Sequence, residues 1–177
     1  MLFDDVNWCL EVINTMLSRR GLNTLKTILE YHAVFCFPII DYYHNVGFDF
    51  EKEPFDDLAV EYIDMYHAND SGNCKLFHDT KNVLAEIQSM GISQVILSAS
   101  HIKNLNMQIS SFGITDYFDE MLGLSDIYAK SKIDIGKDYI MREKISNAVL
   151  IGDSKHDYEV AQALNIDCIL IKNGHLK

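Results

Sequence analysis

The fold is decided by the segment VLIGDSKHD, residues 149–157. Its apolar start predicts a buried strand that ends at Gly152, and the polar residues that follow predict a loop opening a helix. Asp153 and Asp157 are about one helical turn apart, so both carboxylates can face the space beyond the carboxyl end of the strand. Ligands bind at that edge of open α/β sheets, and paired carboxylates there suit a hard metal ion.

The same segment also has an interpretation that needs no ligand. Ser154 followed three positions later by Asp157 fits a helix N-cap with an acidic partner, close to a capping box. Capping does not explain Asp153, because a carboxylate beside the turn expected at Gly152 is costly unless a cation or backbone amides compensate it. Metal binding and capping both stay open from the residues alone.

Composition limits the class of protein. The chain has 177 residues, 48% of them hydrophobic, which is enough for one sizeable core and a small accessory domain. Its formal net charge of -11 opposes binding to nucleic acid or to an anionic membrane, and makes any phosphate site dependent on a metal or a helix N-terminus. There is no membrane-length apolar run and no signal-peptide pattern, so a cytoplasmic protein is expected. The four cysteines form no C-x-x-C pair, which indicates reduced thiols.

The pattern of apolar residues changes near Asn73. Before it, helical periodicity predicts helices at about 6–19, 24–33, 38–43 and 55–66. After it, buried strands are predicted at 94–97, 120–123, 148–151 and 167–171. Helices are predicted between them at about 80–90, 102–112, 132–143 and 155–164, the first of these capped by Thr80. This alternation predicts an α/β fold with a doubly wound, Rossmann-like parallel sheet.

Three features of the second part carry a resemblance. They are the strand end LSAS at residues 97–100, the lysine-containing AKSK at residues 129–132, and the loop at residues 152–157. In order and context they resemble the motifs of the haloacid dehalogenase superfamily of phosphatases. The preceding helices are similar to the small cap of its phosphoglycolate-phosphatase-like members. The resemblance implies a helical cap at residues 5–73 and an α/β core at residues 74–177 that lacks its first strand.

The resemblance implies roles for the second and third motifs. Ser98 would hydrogen-bond the phosphoryl group, helped by backbone amides of the turn that begins at Ala99. We expect Ser100 to cap the next helix, which leaves Ser98 available. Lys132 would neutralise the phosphoryl oxygens. Lys130 competes for that role, but Ser-Lys opening a helix is the family's pattern, so Lys132 is preferred.

The resemblance also assigns the two carboxylates of the segment at residues 149–157. Asp153 is implied to be a metal ligand, and Asp157 a second acid that approaches the ion or orients a water or the lysine. Mg²⁺ is the expected cofactor, because it binds oxygen ligands and keeps waters and substrate phosphate in its shell. His156 is expected to be a surface residue rather than a ligand.

The family's first motif, an aspartate nucleophile at the end of a hydrophobic strand, is missing from this sequence. The residues LFDD at 2–5 resemble the stretch directly after that motif. An alternative register takes DVN at 5–7 as the motif, but Trp8 and Cys9 then replace its glycine and hydroxyl residue. Asp5 is therefore interpreted as a helix N-terminal acid. Since the nucleophile strand is central in the family, we expect a sequence shortened at both ends and a sheet split in the middle.

The function implied by the resemblance is a magnesium-dependent phosphatase of small phosphorylated metabolites, which in full-length form works through an aspartyl-phosphate. The chain as given is expected to be inactive, because the nucleophile is absent. The alternative is a non-catalytic pseudophosphatase that binds metal and phosphate as a regulatory module. The carboxylate pair argues against the metal-free dehalogenases of the superfamily. Aromatic residues of the helical part are expected to pack rather than to line an entrance: Tyr42, Tyr43, His44 and Phe48.

Overall fold

The structure is a computed structural model that describes residues 2–68, 73–125 and 131–172. A short strand, β1 (Phe3–Asp4), is followed by four helices that we call the helical segment, residues 6–68. These helices are α1 (Val6–Arg19), α2 (Ile28–Val34), α3 (Ile39–Asn45) and α4 (Phe55–Ala68). The all-helical texture predicted for this part of the chain is confirmed.

The rest of the described chain, residues 75–170, alternates strands with helices, and we call it the α/β segment. Its elements are β2 (Lys75–Leu76), α5 (Thr80–Ser89), β3 (Val95–His101), α6 (Ile102–Ser111), β4 (Glu120–Leu124), α7 (Ile133–Glu143), β5 (Val149–Gly152), α8 (Lys155–Leu164) and β6 (Asp167–Leu170). The predicted α/β class is confirmed, because parallel strands are joined through helices in the order that the sequence indicated.

The parallel strands form two separate pairs in the described residues. In one pair Leu97 of β3 lies opposite Leu122 of β4, and in the other Ile151 of β5 lies opposite Ile169 of β6. Helix α6 packs on β3 and β4, and α8 packs on β5 and β6. The expected split between the strand at Leu97 and the strand at Ile151 is therefore present in the described structure.

The helical segment is built around one cluster of aliphatic and aromatic side chains. Helix α1 packs on α2 and α4, and the indole Nε1 of Trp8 donates to the carbonyl of Tyr66 at 3.0 Å. The fully buried members of the cluster are Val12, Ile13, Met16, Leu17, Tyr31 and Leu58. These residues recur at helical spacing, which explains why the sequence predicted this part well.

Several local expectations were wrong. Helix α2 begins at Ile28 rather than near residue 24, because the Thr27 hydroxyl caps it and accepts from the amide of Glu30 at 3.2 Å. Thr80 is not a cap but the first residue of α5. Ser100 does not cap α6 either, since the Nδ1 atom of His101 accepts from the amide of Lys103 at 3.2 Å. Caps depend on backbone geometry that residue type alone does not fix.

The start of the chain forms a small antiparallel pair that the sequence did not predict. Phe3 of β1 lies opposite Leu76 of β2. Two-residue strands are too short to show a periodic pattern. This pairing joins residues on either side of the helical segment, so the division at residues 5–73 and 74–177 stays a prediction.

Asp5 anchors the junction between the two segments. Its carboxylate accepts from the hydroxyl of Tyr66 at 2.6 Å, and the same hydroxyl accepts from Nε2 of the buried Gln108 at 2.9 Å. The network links the start of α1, helix α4 and helix α6. Asp5 is also the N-cap residue of α1, in agreement with its interpretation as an N-terminal helix acid. No helix of the described residues is long and apolar enough to cross a membrane.

Candidate functional site

The loop between β5 and α8 is held by a capping box. The Ser154 hydroxyl accepts from the amide of Asp157 at 3.1 Å, and Oδ2 of Asp157 accepts from the amide of Ser154 at 3.1 Å. The same oxygen also accepts from the Ser154 hydroxyl at 2.7 Å and from the amide of Asp153 at 3.1 Å. The capping interpretation of Ser154 and Asp157 is thus confirmed, and Oδ2 is fully occupied by donors of its own loop.

The other oxygen of Asp157 holds a lysine. The ammonium of Lys132 donates to Oδ1 of Asp157 at 2.6 Å and to the backbone carbonyl of Leu97 at 3.1 Å. Lys132 and Asp157 are only 9% and 7% exposed, so this is a buried ion pair. It ties the N-cap residue of α7, the first turn of α8 and strand β3 to one point.

The buried pair fixes its own charge state. Burial is the largest single influence and would raise the pKa of Asp157, but the charge of Lys132 and several hydrogen bonds together outweigh it. Hydrogen bonds from Lys132, Ser154 and the Asp153 amide also favour the carboxylate, and together they lower its pKa from 3.8 to about 2. The Asp157 carboxylate is therefore charged at neutral pH, and with the Lys132 ammonium it forms a net-neutral ion pair whose ammonium can still donate to an anionic ligand.

Ser98 and Ala99 lie in the same region, on β3 directly after Leu97. Both are half-buried, and the Ser98 hydroxyl accepts from the amide of Ser100 at 3.1 Å. Because the carbonyl of Leu97 binds the Lys132 ammonium, the structure brings the predicted second, third and fourth motifs together. Lys130, the other candidate for the third-motif lysine, lies outside the described residues. The preference for Lys132 therefore rests on the contacts of Lys132 with Leu97 and Asp157.

Gly152 is required here for a different reason than the sequence suggested. We expected a turn that needs glycine, but Gly152 is not among the residues with positive φ in the described chain. Instead, a Cβ at this position would lie 2.3 Å from Cβ of Asp157 and 2.4 Å from its Cγ. The missing side chain is what lets the Asp157 carboxylate fold back against the strand end.

The metal prediction depends on Asp153. In the described part of the chain, no three His, Cys, Asp or Glu side chains lie together as a ready-made metal cage. Mg²⁺ usually needs only one or two protein carboxylates, because it keeps waters and substrate phosphate in its shell. Asp153, half-buried at the end of β5, fits such a ligand. That Asp157 is a metal ligand stays a prediction. Its contacts match the other role predicted for it, which is to orient Lys132.

The sequence missed one residue near this site, Phe37. Its ring stacks on the imidazole of His156, with centroids 5.0 Å apart and planes at 25°. His156 is half-buried rather than a free surface residue, and its Nε2 atom is shielded from solvent without a hydrogen-bond partner in the described residues. Burial, followed by the charge of Lys132, lowers the pKa of His156, so the imidazole is neutral near pH 7.

The aromatic residues considered as entrance residues behave mostly as expected. Tyr42, Tyr43 and Phe48 are 2–3% exposed in the helical cluster, which confirms packing for all three. His44 is exposed. Phe37 gave no signal in the sequence, because its contact with His156 joins residues that are far apart in the chain.

Comparison with known proteins identifies relatives in sequence and structure. A phosphoglycolate phosphatase from Yersinia pestis is 27% identical over 121 residues, which are 65% of this chain and 51% of that protein. The chain thus spans about half of the length of the curated relatives it matches.

Solved structures share the fold at lower sequence identity. A haloacid dehalogenase-like hydrolase from Streptococcus pneumoniae superposes with a TM-score of 0.82 at 17% identity, covering 99% of this chain and 82% of that one. Protein tyrosine kinase A from Mycobacterium tuberculosis superposes with a TM-score of 0.77 at 19% identity, covering 100% and 83%. These likenesses concern the fold alone.

A family model described as haloacid dehalogenase-like hydrolase matches residues 1–171, nearly the whole chain. The matched range includes the loop at residues 152–157 and the lysine that it holds. The chain therefore belongs to the haloacid dehalogenase-like hydrolase family.

Proposed function

We propose that this chain supplies the phosphate- and metal-binding part of a magnesium-dependent phosphatase of small phosphorylated metabolites. The observation that carries the proposal is the buried Lys132 ammonium, held between Asp157 and the carbonyl of Leu97 at the strand ends. In a chain with net charge -11, a small phosphate ester needs such a local cation to bind. The phosphoglycolate phosphatases among its sequence relatives support the same reaction class.

In this proposal each residue of the site has its own role in binding the phosphoryl group. An ammonium has three N–H donors, and in the described residues two of those of Lys132 are engaged, leaving one for a phosphoryl oxygen. Ser98 would offer a hydroxyl donor, and the amide of Ala99 would add a second, since the amide of Ser100 already donates to the Ser98 hydroxyl. Asp157 does not contact the substrate in this scheme. It is a positioning residue that keeps Lys132 in place.

Asp153 would hold the magnesium ion. When bound, the ion would neutralise charge on the phosphoryl oxygens during transfer. Asp153 is adjacent in sequence to the capping box. Its backbone amide donates to Oδ2 of Asp157, and this hydrogen bond also fixes the orientation of the strand end. The helical segment would act as the cap that excludes bulk water from the site.

The chemical step itself needs a carboxylate nucleophile. In the family's reaction an aspartate oxygen attacks phosphorus, the P–O bond to the alcohol breaks, and water then hydrolyses the acyl phosphate. Asp157 is occupied by Lys132 and by its own loop, so it is unsuited to that role. We expect this chain alone to bind phosphate without turnover, and a form that also supplies the nucleophile to be active.

The test compares this chain with a form extended by the residues encoded upstream of Met1. Both are assayed with an aryl phosphate and Mg²⁺, next to Lys132→Met versions of each. The expected result is hydrolysis by the extended form only, abolished by Lys132→Met and by removal of magnesium. An extended form without activity contradicts the phosphatase proposal.

A second function is favoured by the Lys132 site, whose ion pair and capping box are complete among the described residues. The chain would then be a pseudophosphatase that binds metal and phosphate as a regulatory module. Isothermal titration of this chain with phosphate in the presence of Mg²⁺ tests it. Binding here together with an inactive extended form supports the binding module, and no binding removes it.

A further inference from the structure

Helix α7 has a glycine at its one buried position. Gly136 lies four residues after Lys132, the N-cap residue of α7, and its amide donates to the Lys132 carbonyl at 3.1 Å. Gly136 is not among the residues with positive φ in the described chain, so its backbone conformation does not require glycine. Glycine is also less favourable than alanine inside a helix. Its presence at this position therefore needs another explanation.

The packing around Gly136 supplies that explanation. A Cβ at this position would lie 2.8 Å from Cδ1 of Leu164, the last residue of α8, and 3.1 Å from Cδ2 of Leu97 on β3. Carbon atoms of packed side chains normally lie about 3.5–4.0 Å apart. Even a methyl group therefore does not fit unless α7 or its neighbours move, and the absent side chain is what lets α7 approach β3 and α8.

The same two elements bind the Lys132 ammonium. It donates to the Leu97 carbonyl on β3 at 3.1 Å and to Oδ1 of Asp157 in the first turn of α8 at 2.6 Å. The start of α7 is thus joined to β3 and α8 twice, through the ammonium and through the close contact at Gly136. Hydrogen bonds weaken beyond about 3.2 Å, so a small outward movement of α7 would loosen the bond to Leu97.

We propose that Gly136 is a positioning residue for Lys132. By lacking a side chain it sets the distance of α7 from β3 and α8, and so holds the ammonium where its third donor faces the phosphate. The inference rests on the proposed phosphate site and adds to it a residue that contacts neither phosphate nor metal. Added volume at Gly136 should displace the ammonium although the lysine itself is unchanged.

The experiment compares Gly136→Ala and Gly136→Val with the wild type by two measurements. Isothermal titration with inorganic phosphate and Mg²⁺ should show binding about threefold weaker for Gly136→Ala and about tenfold weaker for Gly136→Val. The ¹H–¹⁵N spectrum of the lysine ammonium groups reports the position of Lys132 without any ligand. Its signal is the slowly exchanging one that disappears in Lys132→Met, and it should shift or be lost in both Gly136 variants.

A size exchange separates positioning from a general loss of packing. Leu164→Ala removes both methyl groups that an added Cβ at Gly136 would meet. The double variant Gly136→Ala with Leu164→Ala should therefore bind phosphate within about twofold of Leu164→Ala alone, and it should regain the ammonium signal. Losses that simply add in the double variant would contradict the inference. Met141→Ala is the control, because Met141 lies on the same helix, is 68% exposed and should affect neither measurement.

Thermal unfolding reports whether each variant is folded. An unchanged ammonium signal and unchanged phosphate affinity in folded Gly136→Ala overturn the inference and leave the phosphate site standing. A wild type without a slowly exchanging Lys132 signal also overturns it. If the ammonium signal responds to Gly136 as expected but the wild type does not bind phosphate, the proposed function fails and the role of Gly136 in placing Lys132 stands.

Discussion

Both segments of this molecule bury apolar side chains, but among the described residues only the α/β segment also buries polar and charged ones. The helical segment buries aliphatic and aromatic side chains in one cluster, whereas every buried polar or charged residue of the described chain belongs to the α/β part: Gln108, Lys132, Ser154 and Asp157. The strands beside the site are less well covered. Val149 and Ile151 of β5 and Ile169 of β6 are about half exposed.

This difference shows where stability and function lie. The helical segment gains its free energy of folding from apolar burial, which needs no ligand. The α/β segment buries a smaller apolar cluster of Leu84, Leu105, Ile109 and Ile114. It also maintains a buried ion pair, whose desolvation cost offsets much of its attraction. Under the proposed function the spare donor of Lys132 binds phosphate, and the α/β segment would then give up stability for a binding site.

The largest effect should come from the core of the helical segment. Leu58 is fully buried, and Leu58→Ala is expected to lower the free energy of unfolding by about 3 kcal/mol, because it removes apolar contacts and leaves a cavity. Ile151→Ala on the exposed strand should cost less than about 1 kcal/mol. Urea unfolding followed by circular dichroism measures both. Equal losses would contradict the contrast between the segments.

The buried ion pair should give a pH-dependent contribution of about 2 kcal/mol, from the fall of the Asp157 pKa to about 2. Because the folded pKa is the lower one, the stabilisation is present above about pH 4 and is lost as pH falls through about 2. The difference in free energy of unfolding between wild type and Asp157→Asn should therefore shrink over that interval. Urea unfolding at a series of pH values measures it.

The control for the ion pair is a double-mutant cycle. In the Lys132→Met background, Asp157→Asn should cost less than in the wild type, since the partner charge is already gone. If Asp157→Asn lowers the free energy of unfolding equally in both backgrounds, the capping box, and not Lys132, accounts for most of the stability that Asp157 provides.

Gly152→Ala tests the close approach at the strand end. The added methyl group would meet Asp157 at 2.3 Å, so the loop must shift, at an expected cost of about 2 kcal/mol. Phosphate binding should weaken as well, because Asp157 then loses its hold on Lys132. Gly21→Ala is the control for a local glycine effect, since its Cβ meets nothing within 4 Å although its φ is +65°. Loss of phosphate binding in both variants would argue against the close-contact explanation.

The smallest effect should come from the partly exposed ion cluster of the helical segment. Arg20 binds Glu53 through two nitrogens at 2.6 and 2.8 Å and Glu61 at 2.6 Å. Arg20→Lys loses the forked geometry but keeps the charge, and it should cost about 1 kcal/mol or less. High salt should reduce this difference further, which thermal unfolding with and without added salt can measure. A cost as large as that of the buried pair would contradict the ranking.

The sequence predicted elements better than it predicted contacts. Helices α1 and α8 and strand β4 lie where their patterns indicated, because burial of one face imposes a regular spacing on the residues. The cap of α6 and the β1 and β2 pair were not predicted correctly, because they depend on local backbone geometry and on pairing between distant residues. At the site, residue types and order were informative, but the stack of Phe37 on His156 had no sequence signal.

Periodicity and motif order were enough to predict the alternation of strands and helices, the family resemblance and the candidates Ser98, Lys132, Asp153 and Asp157. These follow from periodicity and from motifs, both of which are local properties of the chain. The folded structure was needed to show that one oxygen of Asp157 holds Lys132 while the other caps α8, and that Phe37 stacks on His156. Such contacts form between residues brought together by packing of separate elements, so local spacing does not specify them.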